Sequence, residues 1–377
     1  VADGAVTQAP SFVVSVVIAT YNVAKYLPEF LASLEAQTIG IESVELIFVN
    51  DGSTDRSGEL VGSWAAGRES HVRYIEQTNG GAAAARNAGL ELVTGAWVTF
   101  ADPDDVLDSR YFEEVEKFIT LHARPDMAVL ASHLMILDES TKEYKNSHAL
   151  RAKFNKGSRV VDLLVEPTVQ ISGGTTFVRV SDLRSSGLRF DERVQPNFED
   201  GHFISRFFLQ TDTHLLGIMA SAKYFYRTRQ DGSSLIQSSQ IKPEKYTTLL
   251  RLGFLSLLRE AALLGPVPRW LENVVLYDLI WYFKNEMAIR SLTAAAPADR
   301  FDEFHALVGE ILSLISKDAI RTFDLMGVDF IIKETLLFGY SSESREPEYV
   351  RIMEVDEARQ QVHLSYVFAG PLSRSGS

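Results

Sequence analysis

Apolar residues in the first hundred positions come in short, nearly unbroken runs, each ending in polar or glycine residues. Phe12 to Ala19 is the first run, Val44 to Val49 the second, Val72 to Glu76 the third and Trp97 to Ala101 the fourth. Runs of this length and β-branched content suit parallel strands buried on both faces. Between the first two, Leu27, Phe30, Leu31 and Leu34 recur at helical spacing, and Ala82 to Ala85 is a strong helix former after the third. Strands alternating with helices in this way predict βαβ units and a parallel sheet. Ala128 to Ile136 and Tyr224 to Arg227 read as further strands, and Phe203, Ile204, Phe207 and Phe208 as the buried face of another helix.

The texture changes after Ile241. Lys245 to Leu264, Trp270 to Ser291, Phe301 to Ser316 and Phe330 to Leu337 show helical periodicity, with breaks at Gly265-Pro266 and Ala296-Pro297. Tyr349 to Val355 and Val362 to Phe368 alternate and predict a hairpin. A lone hairpin is marginal in water, so it either docks on the body or begins a further domain. The organisation expected is a flexible leader at 1–11, an α/β domain with a Rossmann-like, mostly parallel sheet at 12–240, a helical domain at 241–340 and the hairpin at 341–377.

The strand ends carry the candidate chemistry. The first runs into Thr20-Tyr21-Asn22, the second into Asn50-Asp51-Gly52-Ser53-Thr54-Asp55 and the third into Asn79-Gly80-Gly81. The fourth ends in Asp102-Pro103-Asp104-Asp105. A stable sheet needs no such repetition, whereas a nucleotide crevice along the carboxyl ends of the strands does. Clustered carboxylates on a tight turn suit Mg²⁺ or Mn²⁺ holding substrate phosphates, although a solvated Asp-rich turn reads the same way. There is no G-x-G-x-x-G after the first strand, no Walker A sequence and no H-E-x-x-H, which sets aside dinucleotide oxidoreductases, P-loop ATPases and zinc proteases of that type.

Composition narrows the field further. The net charge of -13 argues against a nucleic-acid footprint or simple adhesion to anionic lipid. With no cysteine, disulfides, zinc–thiolate sites and thiol nucleophiles are out. No apolar stretch reaches membrane-spanning length, and Val1 to Pro10 lacks the pattern of a signal peptide. The expectation is a cytoplasmic protein, with peripheral attachment to the inner face of the membrane through partners, and assembly into an oligomer, both left open. Arg151, Lys153, Lys156 and Arg159 form a local basic cluster, read first as a solvated loop and second as a path for an anionic polymer. His202, beside a helix start, reads as structural rather than as a metal ligand.

The four strand-end motifs and Arg86-Asn87-Ala88-Gly89, in this order and spacing, resemble inverting family 2 glycosyltransferases with the GT-A fold. The resemblance spans about Ser11 to Ser234. Glu199-Asp200 and the stretch from Arg227 to Ser234 are similar to the bacterial wall-teichoic-acid and capsule-polysaccharide branch. The C-terminal remainder more weakly resembles chains in which such a transferase precedes a glycerophosphotransferase-like domain.

The resemblance implies a nucleotide-diphosphate sugar, most often UDP-linked, across the strand ends, and a polyol-phosphate or polysaccharide acceptor. It puts Thr20 and Tyr21 at the base, Asp51 on the uracil N3–H, and Asn79, Arg86 and Asp102 around the nucleotide. Asp104 is expected to ligate the Mn²⁺ or Mg²⁺, with Asp105 supporting it or capping the next helix. Asp200 is the expected catalytic base and Glu199 an acceptor contact or a tuning neighbour. Arg227, Arg229 and Ser234 are expected to close over the pyrophosphate. Two other readings stand beside this one: a nucleotidyltransferase on a similar sheet, and an inactive glycan-binding or scaffold module of a polymer synthase.

Overall fold

The structure is a computed structural model, describing residues 11–211, 213–229, 239, 241–286, 300–340, 351–356 and 361–365. Four of the expected strands are present as β1 (Val14–Thr20), β2 (Glu45–Asn50), β3 (Val72–Glu76) and β4 (Trp97–Ala101). They lie side by side in the order β3-β2-β1-β4, and every pairing is parallel. The intervening segments form α1 (Leu27–Glu35), α2 (Ser57–Ala65) and α3 (Ala82–Leu90). Alternation along the strands sends Val16, Ile18, Leu46 and Phe48 to one face, against Leu27 and Phe30 of α1. Val17, Ile47 and Val49 go to the other face, against Ala83 and Ala85 of α3. The chain builds outward from β1 to β3 and then returns to the opposite side for β4. That reversal opens a crevice at the carboxyl ends of β1 and β4, where doubly wound sheets take ligands.

The second half of the sheet is mixed. After β5 (Val106–Leu107) and α4 (Tyr111–His122) come β6 (Val129–Asp138), β7 (Tyr144–Lys145) and β8 (Arg159–Asp162). Then follow β9 (Thr176–Arg179), α5 (Val180–Ser186), α6 (Glu199–Gln210) and β10 (Leu215–Thr228). β9 inserts antiparallel between β4 and β6, and β10 runs parallel to β6 but antiparallel to β5 and β8. β10 is 14 residues long, far longer than the segment Tyr224 to Arg227 that the sequence pattern reveals. Its first half carries Gly217 and Ala220 and shows no alternation of apolar and polar residues, and its register shifts between Met219 and Lys223.

Beyond β10, a π-helical stretch (Leu249–Leu255) runs directly into α7 (Ser256–Leu264), followed by α8 (Arg269–Glu286). Next are α9 (Phe301–Ser313), α10 (Lys317–Thr322) and α11 (Phe330–Phe338). These helices close over α6: Phe254, Leu258, Trp270 and Val308 share one continuous apolar core with Phe207, Phe208 and the Val17 face of the sheet. Arg351–Asp356 and Gln361–Ser365 pair antiparallel. No helix among the described residues is long and apolar enough to cross a membrane.

Candidate active site

The ends of β1 and β2 are locked together by side chains that replace missing backbone partners. Asn22 takes a left-handed conformation, φ 50°, and its Oδ1 accepts from the Thr54 N–H at 2.8 Å and the Asp55 N–H at 3.3 Å. Asp55 accepts in return from the Ala24 and Ser57 amides, while Ser57 Oγ accepts from the Val23 N–H. Asn and Asp suit this because their short polar side chains tolerate such geometry and mimic a backbone turn. Thr20 is fully buried at the end of β1, and Tyr21 just beyond it is 47% exposed.

Asp51 lies beneath this surface at 3% exposure. Its carboxylate accepts from the Gly80 N–H at 2.9 Å, the Gly81 N–H at 2.8 Å and Gln77 Nε2 at 2.8 Å. Asp51 thus caps the N-terminus of α3, where orphan N–H groups and the helix dipole favour an anion. The glycine pair serves this carboxylate rather than offering its amides to a phosphate. A base that meets Asp51 has to share Oδ2, which carries one of the three bonds. Asn79 is exposed next to the pair.

The turn after β4 is wired to β10. The Asp102 N–H donates to Tyr224 Oη at 3.1 Å, and the Asp102 side chain is 40% exposed to the crevice. Asp105 is 1% exposed, with Oδ1 accepting from the Arg227 N–H at 2.8 Å and Oδ2 unpartnered. Burial, with the charges of Asp104 and Asp102, pushes its carboxyl well above the usual range. It supports the turn from below and caps no helix, since α4 begins after Arg110. Asp104 faces Arg229, whose Nε and Nη2 lie 2.9 and 2.6 Å from Oδ2.

Arg227 departs from the expected clamp. It is 1% exposed, with Nε bonded to the Asp104 carbonyl at 2.5 Å and Nη2 to Glu29 at 2.8 Å, above the ring of Tyr26. A guanidinium consumed by these partners braces the acidic turn and does not line the crevice. Of the expected clamp, Arg229 is the residue in place, and Ser234 lies outside the described residues.

Arg86 on α3 is the hub of the site. At 5% side-chain exposure it lies 3.1 Å from Asp102, 2.8 Å from Glu199 and 2.7 Å from Asp200. The three carboxylates hold it charged far more firmly than a free arginine, against the opposing effect of burial. Glu199 and Asp200 open α6 after Phe198, which adopts φ 79°. That backbone conformation is strained for a bulky residue, and strain of this kind gathers where a site fixes its geometry. Asp200 Oδ2 accepts from the Gly173 N–H at 2.9 Å, and a Cβ on Gly173 would fall 2.7 Å from that same oxygen. Oδ1 meets Arg86 as an ion pair without a well-aligned hydrogen bond. Burial lifts the Asp200 carboxyl to about 7; Arg86 opposes the shift, and Glu199 and Asp102 add to it. A carboxylate poised near neutrality, partly desolvated and one guanidinium away from the acidic turn, has the properties of a general base.

Other expectations resolve plainly. His202 is 4% exposed, packs toward Ser256 at 3.5 Å, and is held neutral by burial, its pKa lowered to about 4. The basic cluster does not form a patch: Lys156 and Arg159 both pair with Glu166, and Lys153 turns inward. Gly173, Tyr224 and Glu29 belong to the site although no local motif marks them. Their partners lie 27, 122 and 198 residues away.

The donor set fits a divalent cation bound mainly through substrate. Mg²⁺ and Mn²⁺ of this kind use one or two carboxylates and take their remaining ligands from phosphates and water. Asp104 offers such a carboxylate, already facing a cation in Arg229, and no cluster of three acidic or histidine ligands occurs among the described residues.

The Glycosyl transferase family 2 profile matches residues 15–185. The minor teichoic acid biosynthesis protein GgaB of Bacillus subtilis is 30% identical over 312 residues, covering 81% of this chain and 33% of GgaB. GgaA of the same organism is 32% identical over 251 residues, 66% of this chain and 54% of GgaA. The chain therefore spans between a third and about half the length of these relatives. Among solved structures, a fragment of Staphylococcus aureus TarS in complex with UDP-GlcNAc superposes with a TM-score of 0.63 at 18% identity, over 95% of this chain and 98% of that one. That likeness shows the shared GT-A fold, and the segment 15–185 is the part of this chain that matches glycosyl transferase family 2.

Proposed function

We propose that this chain is an inverting, divalent-metal-dependent glycosyltransferase that moves a sugar from a nucleotide-diphosphate donor, a UDP-sugar, to a hydroxyl of a bacterial cell-surface polymer such as teichoic acid or capsule. The single observation that carries the reading is Arg86, which gathers Asp102 on the donor side and Glu199 and Asp200 on the acceptor side around one buried cation. The names of the relatives supply the substrate class. GgaB and GgaA are teichoic acid biosynthesis proteins, and TarS is a poly(ribitol-phosphate) β-N-acetylglucosaminyltransferase.

In this reading the base of the nucleotide stacks on Tyr21 and shares Asp51 Oδ2, Asn79 and the half-exposed Asp102 meet the nucleoside, and Arg229 turns to the diphosphate. A divalent cation held by Asp104 would act as a Lewis acid on the departing diphosphate. Asp200 takes the proton of the acceptor hydroxyl as its oxygen bonds to the anomeric carbon. The bond from that carbon to the diphosphate oxygen breaks, and the nucleoside diphosphate leaves from the opposite face. Glu199 keeps Arg86 engaged, so that the guanidinium does not collapse fully onto the base.

The test is a panel of nucleotide sugars with polyol-phosphate and polysaccharide acceptors. Metal-dependent release of nucleoside diphosphate with sugar transferred supports the reading. Release of pyrophosphate would point to a nucleotidyltransferase, and neither product to an inactive module.

A further inference from the structure

Lys153, expected at the surface, is instead the start of a chain of hydrogen bonds that ends on Asp200. Its Nζ donates to the Val169 carbonyl at 2.7 Å and to Gln170 Oε1 at 2.5 Å, and it lies 5.3 Å from the Phe154 ring centre. No carboxylate pairs with it among the described residues, and burial lowers its pKa to about 7. Gln170, 5% exposed, directs Nε2 to Thr176 Oγ1 at 2.8 Å, Thr175 Oγ1 at 3.0 Å and the Ser172 carbonyl at 3.3 Å. Thr176 Oγ1 closes the turn by donating to the same Ser172 carbonyl at 2.6 Å. The next residue in that turn is Gly173, whose N–H holds Asp200 Oδ2.

We propose that Lys153 and Gln170 are positioning residues for the base. The inference rests on the reading of Asp200 as that base. Lys153 Nζ donates to Gln170 Oε1 and in its ammonium form can only donate, so it fixes which end of the Gln170 amide faces it and sends the NH₂ group to the turn. That amide pins the Ser172 carbonyl and both threonine hydroxyls, and the pinned turn aims the Gly173 N–H at Asp200. A hydrogen bond to the ionised carboxylate favours the base form and fixes its direction toward the acceptor. Nothing local in the sequence links either residue to the crevice. Around Asp200 the charged groups are Arg86, Glu199 and Asp102; around Lys153 they are His148 and Arg159.

Gln170→Glu separates positioning from packing. The carboxylate nearly matches the amide in volume and gains an ion pair with Lys153, yet it cannot donate to the turn. Transfer kinetics across pH are measured for Gln170→Glu, Lys153→Met and Asp200→Asn, with unfolding temperatures alongside. The expected result for Gln170→Glu is kcat down roughly tenfold or more, donor KM within about twofold, and the acid limb of the kcat profile moved to higher pH. Lys153→Met, which leaves the amide free to flip, is expected to move the limb the same way. If both variants fold and keep the wild-type kcat and acid limb while Asp200→Asn is inactive, the positioning role is overturned and the base assignment stands. If Asp200→Asn transfers normally, the base assignment fails first and the positioning role with it.

Discussion

Arg229 places Nε and Nη2 on a single oxygen of Asp104, at 2.9 and 2.6 Å, so the carboxylate assigned to the metal already faces a cation inside the protein. Burial and the nearby Asp102 raise the Asp104 pKa while Arg229 opposes the rise. The acidic turn therefore depends on a positive charge at this position. Arg229→Gln is expected to lower the unfolding temperature by a few degrees in the absence of divalent cation, the equivalent of about 1–3 kcal/mol for a largely buried pair losing one partner. Mn²⁺ alone is expected to recover more of that loss than it adds to the wild type. Thermal melts with and without Mn²⁺ read this directly, and equal responses in the two proteins would remove the cation dependence of the turn.

Gly173→Ala tests the close approach between the turn before β9 and the start of α6. The added methyl would sit 2.7 Å from Asp200 Oδ2, so the carboxylate or the turn must shift. A displacement near 1 Å at a reacting group costs about a hundredfold in rate. Transfer is expected to fall on that scale while binding of nucleoside diphosphate, followed by calorimetry, stays close to wild type.

Arg86→Met leaves Asp102, Glu199 and Asp200 without their shared cation in a largely buried site. Removing the one positive partner of buried charges typically destabilises by about 3–5 kcal/mol. The variant is expected to melt well below the wild type at neutral pH, and the gap is expected to narrow in acid, where the carboxylates take up protons. Arg86→Lys, which keeps the charge but not the fork that reaches three carboxylates, is expected to fold and to transfer slowly.

The Asp200 carboxyl, lifted to about 7, binds a proton more tightly in the folded chain than in the unfolded chain, where an aspartate titrates near about 3.9. Between those two values stability contributed by this group falls as pH rises, and the loss is complete above the folded value. Asp200→Asn removes the effect, so its unfolding temperature relative to wild type is expected to climb from pH 5 to pH 8 and then level. Catalysis has the opposite sense: the base works only when ionised, so wild-type kcat is expected to rise through a limb near the same folded-state value.

The parts of the fold that sequence reveals are those whose cause is local. β1 to β4 and the helices between them lie within patterns a few positions long, and Asn22, Asp51 and Asp55 stand out as polar turn residues, although Asn22 and Asp51 bond amides 32 and 29 positions away. In the mixed half, β6 and the end of β10 show as apolar runs, whereas β9 is only four residues long and the first half of β10 is broken by Gly217 and shows no period-two alternation. Arg227 reads in sequence as the end of a strand that leads into the expected pyrophosphate clamp, but its burial is decided by Glu29 on α1 and by the acidic turn, both remote along the chain. Lys153 is similar: a lysine in a basic stretch carries no mark of the glutamine that draws it inward. Asp102, Asp104, Glu199 and Asp200 were legible as acids of one site. That Arg86 binds three of them together was not, since each pair is brought about by tertiary packing.

In the proposed mechanism Asp200 takes the acceptor proton. The most direct measurement is single-turnover sugar transfer by Asp200→Asn, beside calorimetric binding of the same nucleotide-sugar donor and metal. The expected result is transfer reduced by at least about a hundredfold, in the range general-base catalysis supplies, with donor affinity unchanged. Transfer at the wild-type rate with the donor bound normally would contradict it.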